Sequence, residues 1–201
     1  MDMQNKFLNM DTWFPETIAV YFNINHEEYE TELIKRCVEI QEENKERGGK
    51  NWVSKVYNTN NIVELKNEKV FKPVLDFQQK CVEKYSDDLQ MMYGDDNYNP
   101  KLLGSWFNTY FKNDFQEYHL HESIISTIYF VTCDKNDSRT IFKSQRYETH
   151  PINYGTDYRP AGRAFYEPTP DKLLVFRSHL EHCVEQKTTE NPRITLASNY
   201  L

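Results

Sequence analysis

No stretch of this 201-residue chain is apolar for the roughly 20 residues that a membrane-spanning helix needs. The first ten residues, Met1 to Met10, also lack the apolar core of a signal peptide. Glycine and proline are sparse, at 6 and 8, which excludes a fibrous or low-complexity chain. Positive charge is in deficit: 24 Lys and Arg stand against 31 Asp and Glu, a net charge of −7. Nucleic acid and anionic membrane are disfavoured as partners for that reason. The four cysteines, Cys37, Cys81, Cys133 and Cys183, form no CxxC pair and read as buried free thiols of a reducing cytoplasm. Aromatics are abundant instead, with 14 Tyr, 12 Phe and 3 Trp to fill a core.

The length suits one domain, residues 1–201. Its two halves differ in pattern. Residues 1–100 supply helical support and the first strands. A short β-like run, Thr17 to Phe22, precedes a helix expected from Glu27 to Arg47, with Tyr29, Leu33, Cys37 and Ile40 at helical spacing and Gly48-Gly49 as its stop. Its many charges read as a solvated face. A second helix is expected from Phe71 to Met91, with Pro73 in its first turn and an apolar stripe of Val74, Phe77, Cys81, Tyr85 and Leu89. Tyr93 to Pro100 reads as a turn-rich connection.

Residues 101–201 carry short strands: Leu102–Phe111, Ser123–Thr132, Thr140–Lys143, Lys172–Phe176, His182–Glu185 and Arg193–Asn199. Short strands separated by turn signals predict a sandwich or barrel, and with the helices an α+β layout in which both helices cover one outer face. Ser144 to Pro170 reads as a long loop whose Gln145, Arg146, Tyr147, His150, Tyr154, Tyr158, Arg159, Arg163 and Tyr166 suit a substrate lid, or a surface loop without a role.

His119-Leu120-His121 and the later His182 carry the chemistry. Residues i and i+2 of a strand share a face about 6.5 Å apart, close enough for two imidazoles to converge on one ion. His182 would come from a neighbouring strand. Arg193 follows eleven residues later, across a turn at Thr188 to Pro192. Read as a hairpin, the two segments place Arg193 opposite Gln186, on the order of 13 Å from His182 along the strand. A small dicarboxylate lying on the metal spans that distance, and a guanidinium grips a carboxylate in a two-bond fork. Thr195 alternates in phase with Arg193 and adds a hydroxyl. A strand would turn Glu122 and His179 to the opposite face from the ligands. His150 could touch substrate, His26 reads as a local cap of the first helix, and Glu185 and Asp171 have no evident partner.

Several stretches resemble the 2-oxoglutarate- and Fe(II)-dependent oxygenases of marine bacteria and phages. They are Phe14-Pro15, Trp52-Val53-Ser54-Lys55 before Tyr57-Asn58-Thr59, Ser105-Trp106-Phe107-Asn108, Phe115-Gln116-Glu117-Tyr118-His119-Leu120-His121 and Ile125-Ser126-Thr127-Ile128-Tyr129-Phe130. Leu173-Leu174-Val175-Phe176, Glu181-His182-Cys183-Val184 and Pro192-Arg193-Ile194-Thr195 follow in the same order. The resemblance implies a double-stranded β-helix, or jelly roll, with iron in its mouth. It implies a dioxygenase that hydroxylates a peptide or small-molecule substrate and releases succinate and CO2. His119 would be the first iron ligand and His182 the distal one. Arg193 would bind the C5 carboxylate of 2-oxoglutarate with Thr195 in support, and Tyr129 and Asn108 would be further cosubstrate donors.

One departure stands out. The usual front of the triad is His-x-Asp or His-x-Glu, whereas this chain has His121 there. Ligation by His121 is the expectation, with an open position as the alternative. Two other readings remain at this point: a zinc hydratase on the same three histidines, in which Arg193 has no role, and a non-catalytic cupin-like binding protein. The oligomeric state is open.

Overall fold

A computed structural model describes residues 16–45, 53–93, 96–144 and 162–201. Lid candidates Gln145, Arg146, Tyr147, His150, Tyr154, Tyr158 and Arg159, the Gly48-Gly49 stop and the first fifteen residues lie outside them. In chain order the elements are β1 (Ile18–Phe22), α1 (Glu30–Glu43), β2 (Tyr57–Asn58), α2 (Lys72–Asp88), β3 (Met92–Tyr93), β4 (Asp96–Asn97), β5 (Leu102–Tyr110) and β6 (Gln116–His119). They continue with β7 (Ile125–Thr132), β8 (Thr140–Lys143), β9 (Arg163–Tyr166), β10 (Lys172–Arg177), β11 (Glu181–Val184) and β12 (Arg193–Tyr200).

Two antiparallel sheets form the jelly roll. The larger has the order β1-β10-β7-β12-β5-β2 and the smaller β6-β11-β8-β9, while β3 and β4 pair only with each other. The helices cover the outer face of the larger sheet, as their one-sided apolar stripes require. Leu33, Cys37 and Ile40 of α1 and Val82 and Tyr85 of α2 join Phe107, Tyr129, Val131, Leu173, Val175 and Leu196 in one core. Each such side chain, fully buried, contributes about 1.5–3 kcal/mol. The α2 stripe ends sooner than its spacing predicts: the helix stops at Asp88 and Leu89 is 37% exposed.

The opposite face of the larger sheet meets the smaller one. Ile128, Phe130, Leu174 and Phe176 pack there with Phe142 and Leu180. β7 and β10 are therefore buried on both faces, which is why Ile125–Thr132 and Lys172–Arg177 read as nearly continuous apolar runs rather than alternating ones.

Three expectations are corrected. β11 and β12 do not form a hairpin. β11 pairs with β6 and β8 in the smaller sheet, and β12 with β5 and β7 in the larger one, so Arg193 stands opposite Tyr110 rather than Gln186. Residues 185–192 instead cross between the sheets. A buried ion pair at 2.6 Å ties that crossing, through Lys187, to Asp137. The expected long loop also contains a strand, β9, which extends the smaller sheet through the pairing of Arg163 with Lys143 and Tyr166 with Thr140. Among the cysteines, Cys37 and Cys81 are buried, but Cys133 and Cys183 are only half-buried.

Candidate active site

β6 and β11 set two of the histidines side by side, because His119 and His182 are register partners. β6 ends at His119, so strand alternation does not place His121. A backbone hydrogen bond does, from His121 N–H to Ser178 O at 3.0 Å. The three rings nevertheless converge, with centroid separations of 4.3 Å for His119–His182, 5.1 Å for His121–His182 and 5.4 Å for His119–His121. One nitrogen from each lies within 4.8 Å of the others, a spacing that fits a single metal ion.

Hydrogen bonding decides which nitrogen is offered. His119 Nδ1 is 2.8 Å from Glu117 O and His182 Nδ1 is 3.0 Å from Leu180 O. His121 Nδ1 is 2.9 Å from Asn199 Oδ1. Those oxygens only accept, so each Nδ1 carries the proton and each Nε2 keeps its lone pair for a metal. The rings are also kept neutral. Burial lowers the pKa of His119, lowers that of His121 to about 4 with help from the His119 ring, and pulls that of His182 well below the ordinary histidine range.

This has a consequence for the metal-free chain. Unfolded histidine takes up a proton near pH 6.5, whereas these three resist protonation while folded, so stability falls as pH drops from about 6.5 toward 4. The melting temperature of the metal-free protein is expected to fall across that window, and His121→Gln to flatten the slope. An equal slope in the variant would contradict the assignment.

Arg193 is fully buried. Its guanidinium donates to Ser138 O at 2.6 Å and to Thr140 Oγ1 at 3.2 Å, and lies 5.1 Å from the Tyr110 ring and 5.0 Å from the Phe130 ring. Its Nε is buried with no partner. No carboxylate among the described residues forms an ion pair with it, since the nearby Asp137 is taken by Lys187. Burial accordingly lowers its pKa. A buried charge without a counter-ion is costly, and an anion in the adjoining space would relieve it.

That space is a cavity of about 340 Å3, within the usual range for small-molecule sites. His119, His121, His182, Arg193, Thr195 and Asn108 all line it. Tyr129 does not. It pairs with Leu196, so it faces the helix layer, where its hydroxyl lies 2.7 Å from His26 Nδ1. The expectation for Tyr129 fails because β7 is apolar on both faces, leaving the sequence no sign of which one Tyr129 takes. His26 is likewise not a local cap but is buried against Tyr129. His179 is exposed near Glu16, Glu185 pairs with Arg139, and Glu122 sits exposed at the rim of the cavity.

Known proteins show the same arrangement of sheets. A family model described as "Putative 2OG-Fe(II) oxygenase" matches residues 104–199, the stretch that carries all three histidines and Arg193. That stretch is similar to the 2OG-Fe(II) oxygenases. No curated protein matches the chain's sequence. In fold the chain is similar to a Pseudomonas putida prolyl-4-hydroxylase, with a TM-score of 0.61 at 12% identity over 92% of each chain. A Trichoplax adhaerens prolyl hydroxylase, solved with a hypoxia inducible factor oxygen degradation domain peptide fragment, gives 0.61 at 12% identity over 92% of this chain and 83% of that one. HygX from Streptomyces hygroscopicus, solved with nickel, 2-oxoglutarate and hygromycin B, gives 0.55 at 11% identity over 92% and 82%.

The 2OG-Fe(II) oxygenases that residues 104–199 resemble are named for Fe(II) and 2-oxoglutarate. The donor set fits both: three neutral imidazoles suit a divalent ion, and an uncompensated buried guanidinium suits a carboxylate. A zinc hydratase leaves Arg193 without a role and is not favoured. Sequence reasoning missed Tyr110, Gln116, Asn58, Trp106 and Asn199 in the cavity wall. Asn199 could have been found, since it continues the alternation of Arg193, Thr195 and Ala197. Asn58 could not, because β2 is only two residues long.

Asn199 holds His121 and also accepts from Ser126 Oγ at 2.8 Å. Asn199→Ala is expected to weaken iron binding about 10- to 100-fold in a titration, the usual effect of losing a ligand's hydrogen-bond partner. Asn199→Asp, which keeps the acceptor, should retain most of the affinity.

Proposed function

We propose that residues 1–201 act as a single dioxygenase domain in which His119, His121 and His182 bind Fe(II) and Arg193 binds the distal carboxylate of 2-oxoglutarate. Thr195 and Asn108 assist; Tyr129 has no part. The observation that carries this reading is the buried, partnerless Nε of Arg193 beside the cavity that the three imidazoles share. Bound iron and 2-oxoglutarate together supply the oxidising chemistry, in which O2 is consumed, CO2 and succinate leave, and one substrate C–H becomes C–OH.

The chain's own residues orient and exclude. Glu117 O, Leu180 O and Asn199 Oδ1 fix the three imidazoles in one tautomer. Phe142 and Phe176 pack on His182 at 5.3 and 5.0 Å and keep water from that side. Ser138 O and Thr140 Oγ1 aim the guanidinium. Dianionic 2-oxoglutarate matches the +2 charge that neutral ligands leave on the metal. The substrate is a peptide or small molecule, and the compartment is the cytoplasm, where the unpaired cysteines stay reduced.

Incubation with 2-oxoglutarate and O2 tests the proposal. Fe(II) is expected to support succinate release, and Zn(II) to support none. Equal release without iron would contradict it.

A further inference from the structure

We infer, on the reading that this cavity is the oxygenase site, that the substrate is an extended polypeptide that adds as a strand to the open edge of β5. β2 borders β5 only through Tyr57 opposite Thr109 and Asn58 opposite Asn108. Thr59 then ends the pairing: its N–H donates to Phe107 O at 3.1 Å, and Phe107 N–H donates to its Oγ1 at 3.0 Å. The chain turns away there, with Ile62 N–H on Thr59 O and Asn61 in the left-handed region at φ 60°. Beyond that point no described strand covers β5 on this side.

Backbone groups point alternately to the two sides of a strand, so the N–H and C=O of Ser105 face the same edge as those of Phe107. A second cavity, about 330 Å3, runs along this edge between Leu103–Ser105 and the loop of residues 60–66. Asn60 lines both this cavity and the metal-facing one, so the two adjoin. An unpaired strand edge along a slot is a template for another extended backbone. The irregularity in β12 pairing between Asn199 and Tyr200, opposite Gly104 and Leu102, keeps the regular open stretch short, which favours one segment over a second sheet.

The geometry also delivers a side chain. A residue paired opposite Trp106 projects to the same face as Trp106, whose ring lies 5.3 Å from that of His121. Carboxamides line the way. Asn60 N–H donates to Asn58 Oδ1 at 2.7 Å, and Asn58 Nδ2 donates to Asn108 Oδ1 at 2.5 Å. That chain leaves both N–H donors of Asn108 Nδ2, one for the cosubstrate and a second for the substrate. Uncharged amides of this kind match the neutral amides of a peptide backbone.

Succinate release is measured with a random-sequence library of twelve-residue peptides, for the wild type and for Ser105→Pro. Proline there removes only an edge N–H and leaves the β5–β12 ladder intact. The library is expected to accelerate release by the wild type. The variant should need about tenfold more peptide for the same effect, as loss of a main-chain hydrogen bond predicts. Amide hydrogen exchange at residues 102–106 of the wild type should slow when peptide is added. A second arm keeps the wild-type protein and uses its best library peptide with alternate backbone amides N-methylated, which should no longer accelerate release. Anaerobic binding of Fe(II) and 2-oxoglutarate is followed alongside. If the wild type binds neither, the oxygenase reading fails and this inference falls with it. If binding is intact but no peptide accelerates release, or the N-methylated peptide works as well as its parent, the inference alone is overturned.

Discussion

Arg193→Ala is expected to weaken 2-oxoglutarate binding by about 100- to 1000-fold, the equivalent of about 3–4 kcal/mol, while leaving Fe(II) binding nearly unchanged. The reason lies in what surrounds the guanidinium. It is fully buried, it has neutral acceptors in Ser138 O and Thr140 Oγ1, and no carboxylate among the described residues forms an ion pair with it. Its charge is thus matched only when an anion enters, and that anion gains the full benefit of a dry site. Arg193→Met separates this role from packing, because it keeps most of the apolar stem between the Tyr110 and Phe130 rings. The metal-free Met variant should melt no lower than the wild type, since replacing a buried charge by an apolar side chain is often neutral or stabilising. A large loss of melting temperature with normal 2-oxoglutarate binding would mean that Arg193 serves the fold instead.

The second large effect is expected from His182. His182→Ala should abolish iron binding at micromolar metal and lower succinate release by about 1000-fold or more, because two remaining ligands cannot hold a ferrous ion in place. The ring is 2% exposed and packs on Phe142 and Phe176, so alanine also opens a cavity that costs about 2–4 kcal/mol. His182→Leu fills that space with apolar atoms and should restore much of the stability without restoring iron. Iron titration by calorimetry and thermal melting of the two variants check this. Retained iron affinity in a stably folded His182→Leu would remove His182 from the ligand set. His121 is held differently, by Ser178 O and Asn199 in a segment beyond the end of β6.

Much of this fold was legible because its strands are short and punctuated. Thr140–Lys143 has the same bounds in sequence and structure, and most of the other predicted strands differ by one or two residues. Pairing was not legible. The segments ending at Val184 and starting at Arg193 look like a hairpin, since a turn and two β-like runs say nothing about which sheet each run joins. The jelly roll sends them to opposite sheets, and that crossing brings Arg193 and His182 to one cavity. The face of Tyr129 was hidden for a related reason: Ile128, Tyr129, Phe130 and Val131 are all buried, so alternation of polarity is missing where it was needed. The sequence hides the partner of His26, since Tyr129 lies 103 residues away. The histidine triad was visible because ligand chemistry restricts residue type, whereas Asn58 and Gln116 reach the cavity only through tertiary packing.

The central claim is that three imidazoles and one guanidinium serve a single centre for iron and 2-oxoglutarate. Anaerobic titration with Fe(II) and then 2-oxoglutarate, followed by visible absorption, tests it most directly. A charge-transfer band should appear only when both are present, require His182, and shift to much higher 2-oxoglutarate concentration in Arg193→Ala. Absence of the band in the wild type, or its persistence in His182→Leu, would contradict the account.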